Sequence, residues 1–225
     1  MSLLSTFAGG GGSLVKYQSQ LFTSSGTFTL PAKLVGDTVQ VTAIGGGGSG
    51  SSDGSASGGN WGGNSGNAIQ RIPMVITGDQ TVTIGAGGAG LASFAQSSGN
   101  AGGDTSFGTK TLVGGGAGVK GLQASFIGGG KGGSYDGDRS LAATSVGGQF
   151  GGPGGAATNS EGAAGGGGLI LDDSGIGGLI PTGASSTTSG GGSGYGAGGS
   201  GHGVSTMGSG AGAPGAVLVE WMEEV

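Results

Sequence analysis

Short apolar strands that run directly into glycine are the repeated pattern of this sequence. In the stretch 39–50 (VQVTAIGGGGSG), Val39, Val41 and Ala43 alternate with the residues of the opposite face before four consecutive glycines begin. Alternation with a period of two predicts a β-strand. The same succession recurs at 81–90 (TVTIGAGGAG), 111–118 (TLVGGGAG) and 126–133 (FIGGGKGG), and it is reversed at 208–221, where glycine precedes AVLVEW.

The remaining strand signals lie in the first half of the chain. Residues 17–44 form the clearest β region, which Pro31 and the Gly36-Asp37 turn divide. Residues 68–76 and 80–84 flank Gly78-Asp79, and this arrangement predicts a β-hairpin. No stretch has the periodicity of an α-helix, so the predicted fold class is all-β with irregular regions and essentially no α-helix.

Glycines at spacing three predict a second kind of structure beside the small β-sheet base. This spacing matches a left-handed polyproline-II-type helix, which has three residues per turn and no room for side chains where helices pack closely. A helix packed on one side needs glycine once per turn, and a central helix needs glycine throughout. We therefore expect a polyglycine-II-type bundle held by backbone hydrogen bonds. The bursts are 115, 118, 121; 148, 151, 154; and 162, 165, 168.

These patterns suggest four regions. Residues 1–16 are predicted to be an N-terminal attachment segment, in which Leu3, Leu4 and Phe7 are the candidates for contact with a partner protein, and a frayed terminus is the equal alternative. Residues 17–113 are a β-rich, glycine-rich base, and 114–215 are a polyglycine-II-type region with distal loops. Residues 216–225 are a strand that returns to the base.

Composition separates this chain from disordered glycine-rich sequences and excludes several functions. Glycine supplies 65 of 225 residues, yet 33% are hydrophobic and only 8% are charged, whereas disordered chains combine low hydrophobicity with high charge. With a net charge of −5 there is no basic surface for nucleic acid, and no apolar run is long enough for membrane insertion. The start of the chain lacks the features of a secretion signal, which predicts synthesis in the cytoplasm.

Motifs that would carry chemistry are accounted for by chance in so much glycine. Gly85, Gly87 and Gly90 match a dinucleotide-binding pattern, but no helix is predicted to begin there. Ser52 lies in a G-x-S-x-G sequence without the strand–turn–helix and histidine that a nucleophile needs. Asp136 lies in one of two acidic pairs, neither of which has a complete calcium-loop pattern. We predict no enzymatic activity, no cofactor and no metal site.

Large side chains in the segments between glycine runs are the binding candidates. Aromatic residues and arginine are favoured interface anchors, and binding residues concentrate on loops of rigid scaffolds. Packing against glycine faces remains an equal alternative for each one. The candidates are Trp61, Tyr135, Asp136, Arg139, Leu169, Leu171, Ile180, Tyr195 and His202.

Five stretches in this order resemble the glycine-rich domain of bacteriophage tail-fibre proteins: SGTFTLPA (25–32), VTAIGGGGSG (41–50), TVTIGAGGAG (81–90), GNAGGDTSFG (99–108) and GAPGAVLVEW (212–221). The glycine-run half is also similar to the polyglycine-II tip adhesins of long tail fibres. The resemblance implies a virion protein at the tail fibre or tip, which binds a bacterial outer-membrane protein or glycan through loops and joins another tail protein. Because only the short segment 1–16 stands before the glycine-rich part in this sequence, we expect neither a fibre shaft nor a substantial attachment domain there.

Other functions stay open at this point. A structural decoration or cap protein of the virion would need the same scaffold without a receptor. An ice-binding polyglycine protein would need a flat, regular array of threonine or alanine, and an enzyme acting on surface glycans would need a catalytic constellation. The sequence leaves both a monomer and a homotrimer open.

Overall fold

The computed structural model describes residues 14–52, 60–92, 95–118, 156–157, 168–170, 178–180, 191–192, 194–201 and 208–225. These residues are all-β and contain no helix, in agreement with the predicted fold class. The strands are β1 (Val15–Phe22), β2 (Gly26–Phe28), β3 (Thr38–Ile44), β4 (Asn60–Trp61), β5 (Ala68–Val75), β6 (Gln80–Thr83), β7 (Thr105–Phe107), β8 (Lys110–Leu112), β9 (Ala156–Ala157), β10 (Gly168–Ile170), β11 (Gly178–Ile180) and β12 (Ala216–Glu224).

Two four-stranded antiparallel sheets form the base. Sheet A has the order β1-β12-β3-β5, and sheet B has the order β2-β6-β7-β8. Two further short pairs, β4 with β9 and β10 with β11, lie outside these sheets. The C-terminal strand β12 pairs with both β1 and β3, so the first and last strands of the described chain lie side by side at one edge of sheet A.

The hydrophobic core lies between sheets A and B. The predicted alternation of β3 is confirmed, because Val39, Val41 and Ala43 enter this core and Ile44 joins a second cluster on the other face. In sheet B, the ring of Phe28 packs against the ring of Phe107, with 5.8 Å between their centroids. It also packs against the ring of Trp221 in sheet A, at a centroid distance of 5.2 Å. These aromatic contacts join the two sheets at the centre of the core.

The predicted β-hairpin around Gly78-Asp79 is wrong, although both of its strands exist. Strand β5 pairs with β3 in sheet A, whereas β6 pairs with β2 and β7 in sheet B. Ile76 and Val82 are both buried in the core between the sheets. The chain therefore crosses from sheet A to sheet B at this turn. As a result, the apolar faces of β5 and β6 meet across the core from opposite sheets.

Glycine-rich segments continue the strands beyond the sheets. One of them, residues 45–50, follows β3 and is called here the central segment. Around it lie six outer segments, as far as the structure describes the chain: 62–67, 85–91, 99–103, 113–118, 196–200 and 208–215. Five of these outer segments adjoin a strand of sheet A or B along the chain.

The backbone N–H groups of the central segment donate hydrogen bonds to three outer segments in turn. The acceptors, from Gly45 to Gly50, are the carbonyl oxygens of Asn67, Gly103, Ala213, Asn64, Asn100 and Gly210, at N–O distances of 2.8–3.2 Å. Every third N–H group thus reaches the same neighbour. A repeat of three residues turns successive N–H groups by roughly 120°, so the central segment has neighbours in three directions through its donors alone.

The carbonyl groups of the central segment supply the other three directions. Gly46 and Ser49 accept hydrogen bonds from segment 113–118, Gly47 accepts one from Gly88, and Gly48 accepts one from Gly199. The segments whose carbonyl groups accept hydrogen bonds from the central segment run antiparallel to it, since the residue numbers of the acceptors fall as those of the donors rise. Segment 113–118 runs parallel to it, since both numbers rise together.

The six outer segments also bond to one another and close a ring. Their order is 62–67, 113–118, 99–103, 85–91, 208–215, 196–200 and back to 62–67. The joining hydrogen bonds include those from the N–H groups of Asn64, Gly102, Gly103, Gly212, Gly210 and Gly63 to the carbonyl groups of Gly116, Gly115, Ala86, Gly88, Ser200 and Gly199. This dense bonding offsets the entropic cost of fixing so much glycine.

Candidate functional site

Chain connections gather at the end of the glycine segments that lies away from the sheets, which we call the far end. The central segment leaves sheet A after Ile44, and segment 62–67 returns to sheet A at Ala68, so residues 51–61 connect the two at the far end. Residues 92–98 make the same kind of connection. Segments 196–200 and 208–215 likewise have Ser200 and Gly208 at the far end, and segment 113–118 has Gly118 there.

Two of these connections are tied together directly. Ser52 and Ser97 exchange backbone hydrogen bonds of 3.1 and 3.0 Å as an isolated antiparallel bridge. Ser52 is fully buried at this point, whereas Ser97 is exposed. The backbone at Ser52 and Ser97 is therefore part of the hydrogen-bonded scaffold.

Three of the predicted binding residues lie in the short strand pairs. Trp61 of β4 is opposite Ala156 of β9, and Leu169 of β10 is opposite Leu179 of β11. Ile180 is opposite Gly168, so the structure brings the backbones of Leu169 and Ile180 into one two-stranded pair. The other candidates, apart from Tyr195, lie outside the described residues: Tyr135, Asp136, Arg139, Leu171 and His202, with the attachment candidates Leu3, Leu4 and Phe7.

Tyr195 lies at the opposite end of the glycine segments, next to the sheets. It packs with Leu21 against the second buried cluster, which contains Ile44, Ala68, Ala216 and Leu218. It is half-buried there. Its contacts are those of a residue that covers the outer face of sheet A where the glycine segments begin.

A group of polar side chains that the sequence reasoning missed lies on that same face of sheet A. Glu220 of β12 is 1% exposed, and its Oε1 accepts a hydrogen bond from the Tyr17 hydroxyl of β1. Its Oε2 is 3.3 Å from Nε of Arg71, without the geometry of a hydrogen bond. One signal could have found this group: Glu220 is an acid within the otherwise apolar strand AVLVEW.

Burial raises the pKa of the Glu220 carboxyl. The Arg71 guanidinium would lower that pKa, but its side chain is 54% exposed. A partner that is half in water is screened by solvent, so its effect is weak. Loss of hydration is therefore the dominant effect on Glu220.

Metal binding and membrane spanning find no support in this part of the molecule. The described residues contain no group of three His, Asp or Glu side chains that could hold a metal ion. Nor do they include any helix with the length and apolar character to cross a bilayer.

Comparison with known families agrees with the glycine-rich character of this chain. A family model described as a glycine-rich domain matches residues 23–222, which is most of the chain. The chain therefore belongs to this glycine-rich domain family. No curated protein matches the sequence.

Proposed function

We propose that this protein is a bacteriophage tail-fibre or tip protein that binds a bacterial surface receptor through loops on a glycine-rich scaffold. The observation that carries the proposal is the gathering of chain connections at the far end of the glycine segments. Rigid scaffolds that present variable loops at one end are a common arrangement for binding. The receptor would be an outer-membrane protein or a glycan, and another tail protein of the virion would hold the base.

The scaffold in this proposal is a bundle of polyglycine-II-type helices. The repeat of three in the hydrogen bonds of the central segment supports this assignment, because a polyproline-II-type helix has three residues per turn. The alternation of donor and acceptor neighbours around the central segment supports it further. Such a bundle would be stiff, since each segment is cross-linked to several others through its backbone.

The receptor-binding residues in this proposal are the candidates from the sequence other than Tyr195. They include Trp61, Tyr135, Asp136, Arg139, Leu169, Leu171, Ile180 and His202. Tyr195 is left out because it packs at the sheet end. No chemical step is involved, and adhesion would arise from many shallow contacts.

Binding of the labelled, folded protein to a panel of bacterial strains tests the proposal. We expect saturable binding to some strains and a block of phage adsorption on the same strains. Replacing residues 134–146 or 169–189 with Gly-Ser linkers of equal length should abolish both effects. The matched control is Val75→Ser, which changes a side chain that is 66% exposed in sheet A and should leave binding intact.

Two outcomes would count against the receptor-binding role. Absence of binding to every strain by a folded protein would favour the structural cap or decoration protein instead. Binding that survives both loop replacements and is lost in Val75→Ser would move the contact surface from the far end to the sheets.

A further inference from the structure

A β-bulge in sheet A brings Arg71 to the same face of the sheet as Glu220. Val41 is opposite Ile72, and Ala43 is opposite Ile69, so two residues of β5 stand against Thr42 alone. Ile69 and Ile72 both contact the core, which a regular strand would forbid at this spacing. The bulge resolves this conflict and leaves Arg71 with a φ of +46°, a backbone conformation rare for a residue other than glycine.

The resulting cluster links all four strands of sheet A. Tyr17 of β1 and Arg71 of β5 contact the two carboxylate oxygens of Glu220 in β12. The backbone N–H of Arg71 donates to Oγ1 of Thr42 in β3 at 3.0 Å. A change at Glu220 therefore acts on strands at both edges of the sheet.

Few other charges face this carboxylate. Lys16 and Glu223 are paired with each other in register and lie on the opposite face of the sheet. On the face of Glu220, β3 supplies no charged residue; Gln40 is directly opposite Glu220, and Thr42 is opposite Leu218. Within the described residues, Arg71 from β5 and Tyr17 from β1 are the ionisable groups closest to Glu220, and Glu224 lies four positions along its own strand.

We propose that the Tyr17–Glu220–Arg71 cluster is a pH-sensitive clamp, which holds the four strands of sheet A together more tightly when the Glu220 carboxyl is protonated than when it is ionised. When it is ionised, the buried carboxylate has one hydroxyl donor and a partly hydrated arginine as its partners. Taking up a proton removes the cost of burying that charge. The Tyr17 hydroxyl still donates to Oε1 after protonation.

The direction of the effect follows from proton binding. The pKa of Glu220 is raised in the folded protein, so the folded state holds this proton at pH values where the unfolded chain has released it. The stability from Glu220 is fully present below the pKa of the unfolded chain. It is lost as the pH rises through the higher pKa of the folded protein.

Unfolding of the full chain by urea at several values from about pH 4 to about pH 8 tests the clamp. We compare the wild type with Glu220→Gln, in which the charge is absent at every pH. The difference in unfolding midpoint between the two should be constant in acid, where both side chains are uncharged, and should shift in favour of Glu220→Gln as the pH rises. The matched control, Glu223→Gln on the same strand, should run parallel to the wild type.

Two results would overturn the proposal. One is a difference between wild type and Glu220→Gln that does not change with pH. The other comes from an NMR titration of the Glu220 carboxyl carbon in the wild type, which stays informative if Glu220→Gln does not fold. A midpoint within or below the ordinary range for glutamate would contradict the clamp, whereas a higher midpoint is expected.

Discussion

At the scale of single residues, the absence of a side chain is what this protein needs from Gly47. A Cβ atom added to Gly47 would overlap the backbone carbonyl group of Ala197, and one added to Gly48 would overlap that of Gly116. In each case the overlapping atoms belong to backbone that is held by hydrogen bonds, so they cannot move aside as the end of a flexible side chain could. Glycine here makes room for a neighbouring chain rather than supplying an unusual turn.

Substituting Gly47→Ala should destabilise the fold by about 3 kcal/mol or more, at the upper end of what overpacking costs. The reason is that the central segment and segment 196–200 would have to separate. The midpoint of urea unfolding measures the effect. Gly78→Ala is the matched control, since an added Cβ there meets nothing within 4 Å and should change stability little.

At the scale of elements, the junction between sheet and glycine segment requires polar side chains. A strand bonds to neighbours with a period of two, whereas the glycine segments bond with a period of three, so some N–H groups at the change have no backbone partner. The N–H of Gly85 donates a hydrogen bond to Oγ1 of Thr105. In the same way, the N–H of Ile84 donates to Oγ of Ser25, and the N–H of Gly114 donates to Oδ1 of Asp104. These side chains satisfy the backbone where the two patterns meet.

Thr105→Val should therefore cost about 1–3 kcal/mol, the usual penalty for leaving a buried donor without a partner. Thr105 is fully buried, and valine preserves its shape while removing the acceptor. Thermal unfolding of the two proteins gives the comparison. Thr111→Val on the neighbouring strand is exposed and serves as the control; equal losses in the two variants would contradict the proposed role of the hydroxyl.

Amide hydrogen exchange should rank the central segment among the slowest parts of the molecule. Its N–H groups from Gly45 to Gly50 are all bonded within a ring of neighbours, and its residues are all buried. Groups of this kind exchange only through large-scale opening. Exchange rates are measured by NMR, and the amide of the exposed Thr77 is the reference. If the central segment exchanged as fast as Thr77, the ring of segments would have to open locally.

At the scale of the whole molecule, the sheets and the glycine segments share the same strands. Strand β3 continues as the central segment, segments 62–67, 99–103 and 208–215 lead into strands, and β8 continues as segment 113–118. Because each strand and its glycine extension are one piece of chain, loss of the sheet core removes the positions from which the segments start. We therefore expect the two parts to unfold together.

Leu112→Ala tests this coupling, because Leu112 is 2% exposed in the core between the sheets. The substitution should lower the free energy of unfolding by about 2–5 kcal/mol. Amide protection of the central segment should fall by the same amount. Val113→Ala is the control, since the adjacent Val113 is 56% exposed; sheet amides that lose protection while the central segment keeps it would mean two independent units.

Much of this architecture could be read from local pattern. Alternation in 39–44 predicted strand β3 and its two faces, because period two follows directly from the geometry of an extended chain, and the short apolar run at 216–221 predicted β12. Gly115 and Gly118, which have the spacing of three noted in the sequence, donate to the same central segment, whereas the polyglycine-II bundle inferred from that spacing stays a prediction. These features depend on neighbours along the chain.

Tertiary structure alone decided which segments meet. The turn at Gly78-Asp79 has a hairpin sequence, yet its strands lie in different sheets because each apolar face needed the shared core. The placement of residues 45–50 at the centre of a ring, and the burial of Glu220 between Tyr17 and Arg71, join residues far apart in sequence. Sequence determined where strands and glycine segments occur, since sterics and hydrogen bonding act locally. Their partners were decided by long-range packing, which no local pattern encodes.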